Sequence, residues 1–513
     1  MNKRVYNIMF HTHTVSGIVI CVALYVIFFA GSFAFFRDEI TNWERNEANA
    51  PRQGMELNID AALDSLSAKY NLYGRDITIQ KHYDERRVSV TLTNTKDTTL
   101  TDAKPGAFFY LDPETSKTTT YPESYGLGEF IYRLHFFAQI YYPVGYYLSG
   151  FVALFFLFTI ITGVIIHWDK IKSNFYVFRP KAKLKTLWTD AHTALGVIGL
   201  PFQFVYAVTG AFFMLKVLAV APSVFVLYDG DQAKMYEELE YAEPVKEFKS
   251  QKLTAIPDVS RLFKEANDRW EDFQVTKVFI TNYGDAGMHV TLEGAQQYAQ
   301  RITSPGKIVY SALSEKTTVL KDLDKHISYL DGVKNILFRL HYGDYGGYAL
   351  KAVSFLLGII SCVVILSGVL IWLTARDKKN LPEKKRRFNN CVAYIFLALS
   401  LSMYPVTAAN FIAVKLGYSG MDFLYPFYFI TWLVLTVFFA VKKNNAFTNR
   451  ACLFLGSILG LAIPFVNGFV TGNWFWKTFT PATMDFFVVD IFWLIVGSVT
   501  LWVVFRLSPK GLS

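Results

Sequence analysis

Four histidines at the ends of apolar segments are the residues of this chain whose type and spacing suit them to hold a cofactor. His13 opens the first apolar segment, and His192 opens the third. Each is followed by one glycine after 4 residues and by another after 18 residues. Because eighteen residues are five helical turns, each histidine is predicted to share a helix face with its glycines. These glycines are Gly17 and Gly31 in the first segment, and Gly196 and Gly210 in the third.

The other two histidines end a repeated tripeptide. Arg133-Leu-His135 precedes the second apolar segment, and Arg339-Leu-His341 precedes the fourth. A connection rich in glycine and tyrosine follows each tripeptide, and an apolar segment follows each connection. The order of apolar segment, polar segment, Arg-Leu-His and apolar segment therefore occurs twice, and it predicts an internal two-fold repeat in the first four spans.

Such a repeat predicts two histidine pairs. Packing of the two halves about a pseudo-twofold axis would place His13 opposite His192 and His135 opposite His341, near opposite membrane faces. Two opposed imidazoles with glycine clearance are what a bis-histidine haem b requires. We therefore predict two haem b groups, with the arginine of each tripeptide, Arg133 or Arg339, paired with a haem propionate.

Five further histidines compete for these roles. His11 and His167 are alternative ligands for the first pair, but neither has a counterpart in the other half. His82, His289 and His326 lie in polar segments, where solvation or a local hydrogen bond is the expected state. An iron with two histidine ligands has no open coordination position, so the predicted pairs indicate electron transfer rather than oxygen activation.

The elements that must position these residues are membrane spans. Hydrophobic residues make up 52% of the chain and charged residues 18%, against about 25% charged residues in an ordinary globular domain. This composition excludes a disordered chain, a collagen and a disulfide scaffold. A bilayer core needs about 20 apolar residues per helix. Eight segments qualify, at 12–36, 144–168, 190–216, 348–374, 389–413, 424–441, 451–470 and 484–506.

Basic residues lie on alternate connections and thereby predict sidedness. By the positive-inside rule both termini and the basic loops are cytoplasmic, and the His13 end of the first span is too. The chain carries a net charge of +9, which sidedness explains, and nothing indicates nucleic-acid binding. The two long polar segments then lie outside, each with a predicted helix followed by alternating strands. The fold class is therefore a polytopic α-helical membrane protein with two outer α+β domains.

The predicted organisation has nine parts. They are a first span (1–36), an outer domain (37–130), an Arg-Leu-His segment with the second span (131–168), a basic loop (169–189), a third span (190–216), a second outer domain (217–335), an Arg-Leu-His segment with the fourth span (336–374), a basic loop (375–388) and a four-span extension (389–513). The extension contains no histidine, so it supplies no histidine ligand. Asp490 lies within one of its spans, either as a packed, hydrogen-bonded side chain or as a proton or quinone contact.

Together these motifs resemble the PepSY-associated transmembrane (PiuB-like) family over about residues 10–375. The resemblance is carried by His13…Gly17…Gly31, YLDPETSK at 110–117, Arg133-Leu-His135, Thr162-Gly163, His192…Gly196 with Thr209-Gly210, and LFRLHYGDYGG at 337–347. The family includes di-haem ferric-siderophore reductases of the FoxB type, which carry PepSY domains on the periplasmic side of the inner membrane.

The resemblance implies an oxidoreductase of the bacterial inner membrane with periplasmic PepSY-like domains. It would reduce a ferric siderophore or another Fe³⁺ chelate at the periplasmic face and release Fe²⁺ for iron uptake. The chain has no glycine-rich dinucleotide motif after a strand, so the electron donor is expected to be a quinol or a separate cytoplasmic reductase.

Two other functions are considered. A membrane-anchored PepSY binding or regulatory module without redox activity gives no reason for the repeated histidines. An iron-chelate permease predicts charged residues and broken helices in mid-span, of which the predicted spans have almost none.

Overall fold

The chain forms two compact units. In the computed structural model, residues 2–48, 55, 57–82, 86–100, 104–177, 179, 182–239, 243–296, 305–323, 329–376 and 381–506 are described. A helical unit comprises Met1–Asn46, Gly126–Ala219 and Tyr348–Ser513, and a sheet unit comprises Glu47–Tyr125 and Val220–Gly347.

Eight helices of the described chain are long and apolar enough to cross a membrane, which confirms the predicted number and a multi-pass membrane protein. Several extend past the predicted segments because the helix continues into polar flanking residues. These helices are α1 (Lys3–Ala34), α5 (Val144–His167), α7 (Leu184–Leu227), α11 (Gly347–Arg376), α12 (Glu383–Lys415), α13 (Met421–Lys442), α14 (Asn445–Thr471) and α15 (Met484–Arg506).

Shorter helices complete both units. The helical unit also contains α2 (Arg37–Arg45), α4 (Leu127–His135) and α6 (Ile171–Tyr176), and the sheet unit contains α3 (Ile59–Ser67), α8 (Gln232–Glu238), α9 (Val259–Asn267) and α10 (Tyr329–Tyr342). Helix α2 and the first residues of α4 fall within the predicted outer domain at 37–130, whereas both helices belong to the helical unit. Helix α10 carries His341 and belongs to the sheet unit.

Aromatic packing joins the C-terminal helices to α1. The ring of Phe33 lies 5.5 Å from that of Phe355 on α11, 6.4 Å from Phe411 on α12 and 5.9 Å from Trp493 on α15, measured between centroids. Moving an apolar side chain from lipid into a contact between two helices gives little hydrophobic free energy. Close van der Waals contact of this kind is therefore what holds membrane helices together.

The sheet unit is built on one antiparallel sheet of eight strands in the order β4-β3-β2-β1-β5-β6-β7-β8. The strands are β1 (Ile77–Lys81), β2 (Val88–Leu92), β3 (Ala107–Leu111), β4 (Thr118–Thr120), β5 (Phe273–Thr281), β6 (His289–Gln296), β7 (Gly306–Ser311) and β8 (Lys316–Lys321). Side chains of α3 and α9 share its hydrophobic core.

The single sheet corrects the expectation of two separate outer domains at 37–130 and 217–335. Strands β1 and β5, one from each segment, pair antiparallel with Ile77 opposite Ile280. Each would otherwise present an unpaired edge, and their backbone hydrogen bonds remove that edge from both halves.

Candidate functional site

Two of the predicted ligands face each other in the helical unit. His13 lies on α1 and His192 on α7, and both are half-buried. Their imidazole centroids are 6.1 Å apart, and the ring planes are inclined at 78°. The structure therefore brings together the two residues that the repeat pairs at the N-terminal end of α1.

Each ring is held through its Nδ1 atom by the backbone of a different helix. Nδ1 of His13 lies 2.9 Å from the carbonyl oxygen of Thr159 on α5, and Nδ1 of His192 lies 2.9 Å from that of Val364 on α11. A carbonyl only accepts hydrogen bonds, so Nδ1 is the protonated nitrogen and donates. In a neutral imidazole this leaves the lone pair on Nε2, as in metal-bound histidines.

The ring separation fits a metal held between the two imidazoles. Two metal–nitrogen bonds of about 2 Å each, with ring centroids about 1 Å behind the nitrogens, require centroids about 6 Å apart. The measured 6.1 Å agrees with this value. Among the described residues no group of three or more His, Cys, Asp or Glu side chains is arranged to hold a bare ion. A two-histidine site instead suits a metal whose remaining ligands come from a macrocycle.

An apolar cleft lies beside the pair. Both histidines line it, and it is partly open to the surroundings. Its walls include Phe156, Ile160, Val164, Val197 and Leu200. The residues present therefore fit a flat apolar cofactor with two histidine ligands.

Two glycines that are not among the four predicted to clear space for haem lie under the imidazoles. A Cβ atom on Gly163 would be 3.1 Å from Cε1 of His13, and one on Gly368 would be 3.0 Å from Cε1 of His192. Each glycine comes four residues after the carbonyl that accepts the Nδ1 hydrogen bond, at Thr159 and Val364. The four-residue spacing between the accepting carbonyl and the glycine is the sequence pattern from which these two glycines could have been predicted.

The four glycines expected to clear space for haem have different surroundings. A Cβ on Gly196 would meet no atom within 4 Å, and Gly196 lines the cleft. A Cβ on Gly17 would contact Thr159 at 3.7 Å, and one on Gly210 would contact Ala153 at 3.4 Å, which are ordinary helix-packing contacts. Gly31 instead packs against His135.

His135 repeats the same arrangement at the other end of α1. Its Nδ1 lies 2.7 Å from the carbonyl oxygen of Ile27, and a Cβ on Gly31, four residues further, would be 2.5 Å from Nδ1. Burial lowers the pKa of His135 and outweighs the opposing effect of the Ile27 carbonyl. The imidazole is therefore neutral at physiological pH, which is the form that ligates a metal.

His341 belongs to the sheet unit, where it lies near the end of α10 with its ring 5.9 Å from that of Tyr342. His135 and His341 thus belong to different compact units, and their pairing stays a prediction.

The predicted propionate partners have carboxylate neighbours of their own. Nε of Arg133 lies 2.7 Å from Glu129, which also pairs with Arg37 at 2.9 Å. Nε of Arg339 lies 2.8 Å from Asp344. The propionate role of both arginines stays a prediction.

The competing histidines are now distinguished. His11 is exposed, with its ring beside Phe10, whereas His167 ends α5 and lines the apolar cleft. In the sheet unit, His82 bonds Ser89 and His289 bonds the Gly287 carbonyl, as predicted. His326 lies outside the described residues.

Comparison with curated proteins finds no match for this chain. The family described as PepSY-associated TM region matches residues 10–375, about seven-tenths of the sequence. The match contains all four predicted ligands and helices α1 to α11, apart from the first residues of α1 and the last of α11, and it excludes α12 to α15. The chain therefore belongs to the PepSY-associated TM region family.

Proposed function

We propose that this protein is a transmembrane electron-transfer protein that holds two haem b groups and reduces a ferric chelate. His13 and His192 would ligate one haem, and His135 and His341 the other. The observation that carries the proposal is the geometry of the first pair, two imidazoles 6.1 Å apart with both Nδ1 atoms bound to helix carbonyls. Bound haem supplies one-electron Fe³⁺/Fe²⁺ chemistry.

The chain's own contribution is to fix the ligand rings before a cofactor binds. The carbonyls of Thr159 and Val364 set the tautomer and the direction of the two Nε2 lone pairs. Gly163 and Gly368 let the rings lie against α5 and α11. The apolar side chains of the cleft would offer a bound macrocycle a surface of low polarity.

An internal repeat accounts for the second pair. His135 rests on α1 through a carbonyl and the glycine four residues later, as His13 does on α5 and His192 on α11. We infer that His341, the repeat counterpart of His135 in the sequence, is the second ligand of this haem.

The spacing along α1 supports one site near each face of the bilayer. His13 lies on α1, and His135 contacts α1 at Ile27 and Gly31. These positions are 14 to 18 residues beyond His13, or roughly 21–27 Å along the helix, compared with a hydrocarbon core of about 30 Å. Two cofactors at these positions would span most of the membrane.

The direction of electron flow follows from sidedness. We infer from the basic loops that the His13 end of α1 is cytoplasmic and that the two long polar segments lie on the opposite side. The family resemblance implies that the membrane is a bacterial inner membrane and that this opposite side is the periplasm. A polar cavity lined by Lys3, Asp169 and Arg179 shares His167 with the apolar cleft, and an electron donor at this end would reach the first haem. The donor would be a quinol or a separate cytoplasmic reductase. The acceptor would be a ferric siderophore or another Fe³⁺ chelate, which takes one electron per iron and releases Fe²⁺.

The test is an absorption spectrum of the detergent-purified protein, oxidised and reduced with dithionite, together with the haem content per chain. We expect two haem b per chain with low-spin reduced bands. His13→Ala and His192→Ala should each remove one haem, and His135→Ala and His341→Ala should each remove the other along with ferric-chelate reduction. His11→Ala, on the exposed face of α1, is the matched control and should retain both. A folded, haem-free protein from haem-replete cells would refute the proposal and favour an anchored binding module or a permease.

A further inference from the structure

A cluster of buried charged groups joins α2 to the C-terminal helices that lie outside the family match. Lys415 at the end of α12 is 4% exposed, and Asp490 on α15 is 0% exposed. Nζ of Lys415 donates to the backbone carbonyl of Trp43 on α2 and lies 4.1 Å from the centroid of its ring. Ionisable groups buried in a membrane protein are costly, so their retention indicates a function.

Neutral donors hold the carboxylate of Asp490. Its Oδ1 accepts a hydrogen bond of 2.9 Å from Nε1 of Trp43, and its Oδ2 accepts one of 2.8 Å from Nδ2 of Asn467. The position of this carboxylate is therefore set by α2 and α14 together. Lys415 interacts electrostatically with this side chain.

Glu44, next to Trp43, lies at the N-terminus of α4. Its Oε2 accepts a hydrogen bond of 2.7 Å from the backbone N–H of Leu127, the first residue of that helix. The preceding residue is Gly126, which has no side chain to cap the helix, and a Cβ there would be 2.5 Å from Oε2 of Glu44. Because Gly126 has no Cβ, the Glu44 carboxylate can lie against the N-terminus of α4, which is the positive end of the helix dipole.

Burial raises the pKa of Glu44 to about 7, although the Leu127 N–H, Arg45 and Lys415 act to lower it. The carboxyl group therefore exchanges its proton near physiological pH. A modest change in nearby charge is sufficient to protonate it or to release its proton.

Helix α4 connects this carboxyl group to a predicted haem ligand. Glu44 lies at the N-terminus of α4, and His135 is its last residue, eight residues and about 12 Å further along the axis. Two unit charges about 12 Å apart change each other's proton or electron affinity by about tenfold at an effective dielectric constant of about 20.

We propose that Glu44, held between the N-terminus of α4 and Lys415, is a proton-binding site that is coupled to reduction of the haem on His135. The inference rests on the proposed function of His135. With a haem on His135 reduced by one electron, the Glu44 carboxylate would bind a proton from the aqueous phase more tightly. When a ferric chelate removes that electron, the O–H bond of Glu44 would break more readily and return the proton to water. The C-terminal helices supply the charges that tune this site.

Two cations act on Glu44, Arg45 on α2 itself and Lys415 on α12. The helices packed against α2 carry further charged groups, which are Asp485 and Asp490 on α15, Glu129 and Arg133 on α4, and Lys351 on α11, paired with Glu39 of α2.

The test is a spectroelectrochemical titration of the haem-loaded protein at several pH values of roughly 6 to 8, on either side of the raised pKa of Glu44, about 7. At a fixed applied potential, the reduced-to-oxidised ratio of the His135 haem should fall by up to about tenfold as the pH rises across this window. Glu44→Gln should abolish this dependence and leave that of the His13 haem unchanged. Asp485→Asn, whose carboxylate accepts from Asn42 and Tyr348 at the same end of the unit, is the matched control.

Haem content separates the two proposals. Suppose that the protein retains both haems. If the redox equilibrium of the His135 haem does not depend on pH, or if Glu44→Gln leaves that pH dependence unchanged, the proton-binding site is refuted and the haem assignment stands. Loss of the His135 haem from the wild-type protein overturns both. Should Glu44→Gln fail to fold, redox-difference infrared spectra of the wild-type protein decide the question. A protonated-carboxyl band that grows on reduction supports the site, and its absence overturns it.

Discussion

The imidazole of His135 rests directly on the backbone of Gly31. A Cβ atom at position 31 would lie 2.5 Å from Nδ1 of His135, and the same nitrogen is 2.7 Å from the carbonyl oxygen of Ile27. His13 has this relation to Thr159 and Gly163, with 2.9 Å from Nδ1 to the carbonyl and 3.1 Å from Cε1 to a Cβ on the glycine. The same local arrangement therefore positions histidines at both ends of the spans. A helix carbonyl accepts a hydrogen bond from Nδ1, and the glycine four residues later leaves room for the ring.

Gly31→Ala should displace His135. The added methyl group would overlap the ring, so we expect a loss of about 1–3 kcal/mol in the free energy of unfolding. Haem content should fall towards one per chain, since the ligand moves. Gly17→Ala is the control, because its Cβ would meet Thr159 at an ordinary 3.7 Å. Equal haem content in both variants would contradict the assignment of His135.

A graded pair of substitutions at Gly196 tests the apolar cleft. A Cβ at this position meets nothing within 4 Å, so Gly196→Ala should fold and bind haem as the wild type does. Gly196→Leu extends a larger side chain from the wall of the cleft and should exclude the haem of His13 and His192. We expect one haem per chain and a melting temperature close to that of Gly196→Ala. Two haems in the leucine variant would show that the cleft is not the haem site.

Stability should depend on pH through Glu44. Its pKa is raised from 4.5 to about 7 in the folded protein, so the folded state binds this proton more tightly than the unfolded state does. The free energy of unfolding therefore falls as the pH rises from about 4.5 to about 7, by up to about 3 kcal/mol, and then levels off. Thermal melts of the protein in detergent across this range should show the decrease, and those of Glu44→Gln should lack that component. A wild-type profile that rises through this window and is unchanged in Glu44→Gln would contradict the raised pKa.

A buried ion pair between α2 and α11 should reveal itself through non-additive substitutions. Lys351 donates to Glu39, and both side chains are almost fully buried. Lys351→Met leaves the Glu39 carboxylate without this cation and should cost about 3–5 kcal/mol, whereas Lys351→Met with Glu39→Leu should recover most of that loss. Chemical or thermal unfolding of the two single variants and the double variant measures the coupling. Strictly additive losses would show that the pair does not act as a unit.

Much of this protein can be predicted from its sequence. Eight apolar segments identify the spans, because a helix of about 20 apolar residues is the element that crosses a bilayer most simply. The repeated histidine spacing also singled out His13 and His192, which the structure then brought together. Patterns of this kind are local or repeated in the chain, so they can be read without knowing which helices touch.

Only the tertiary structure decided which groups surround the ligands. Spacing places Gly17 on the face of His13, but the glycine under that ring is Gly163, which belongs to another helix. Likewise the two outer segments form one sheet because β1 pairs with β5, about 200 residues away in sequence. Glu44 acquires its raised pKa from burial, with the Leu127 N–H and Lys415 opposing it. Contacts between residues far apart in the chain depend on how the elements pack, and a single sequence carries no local signal for them.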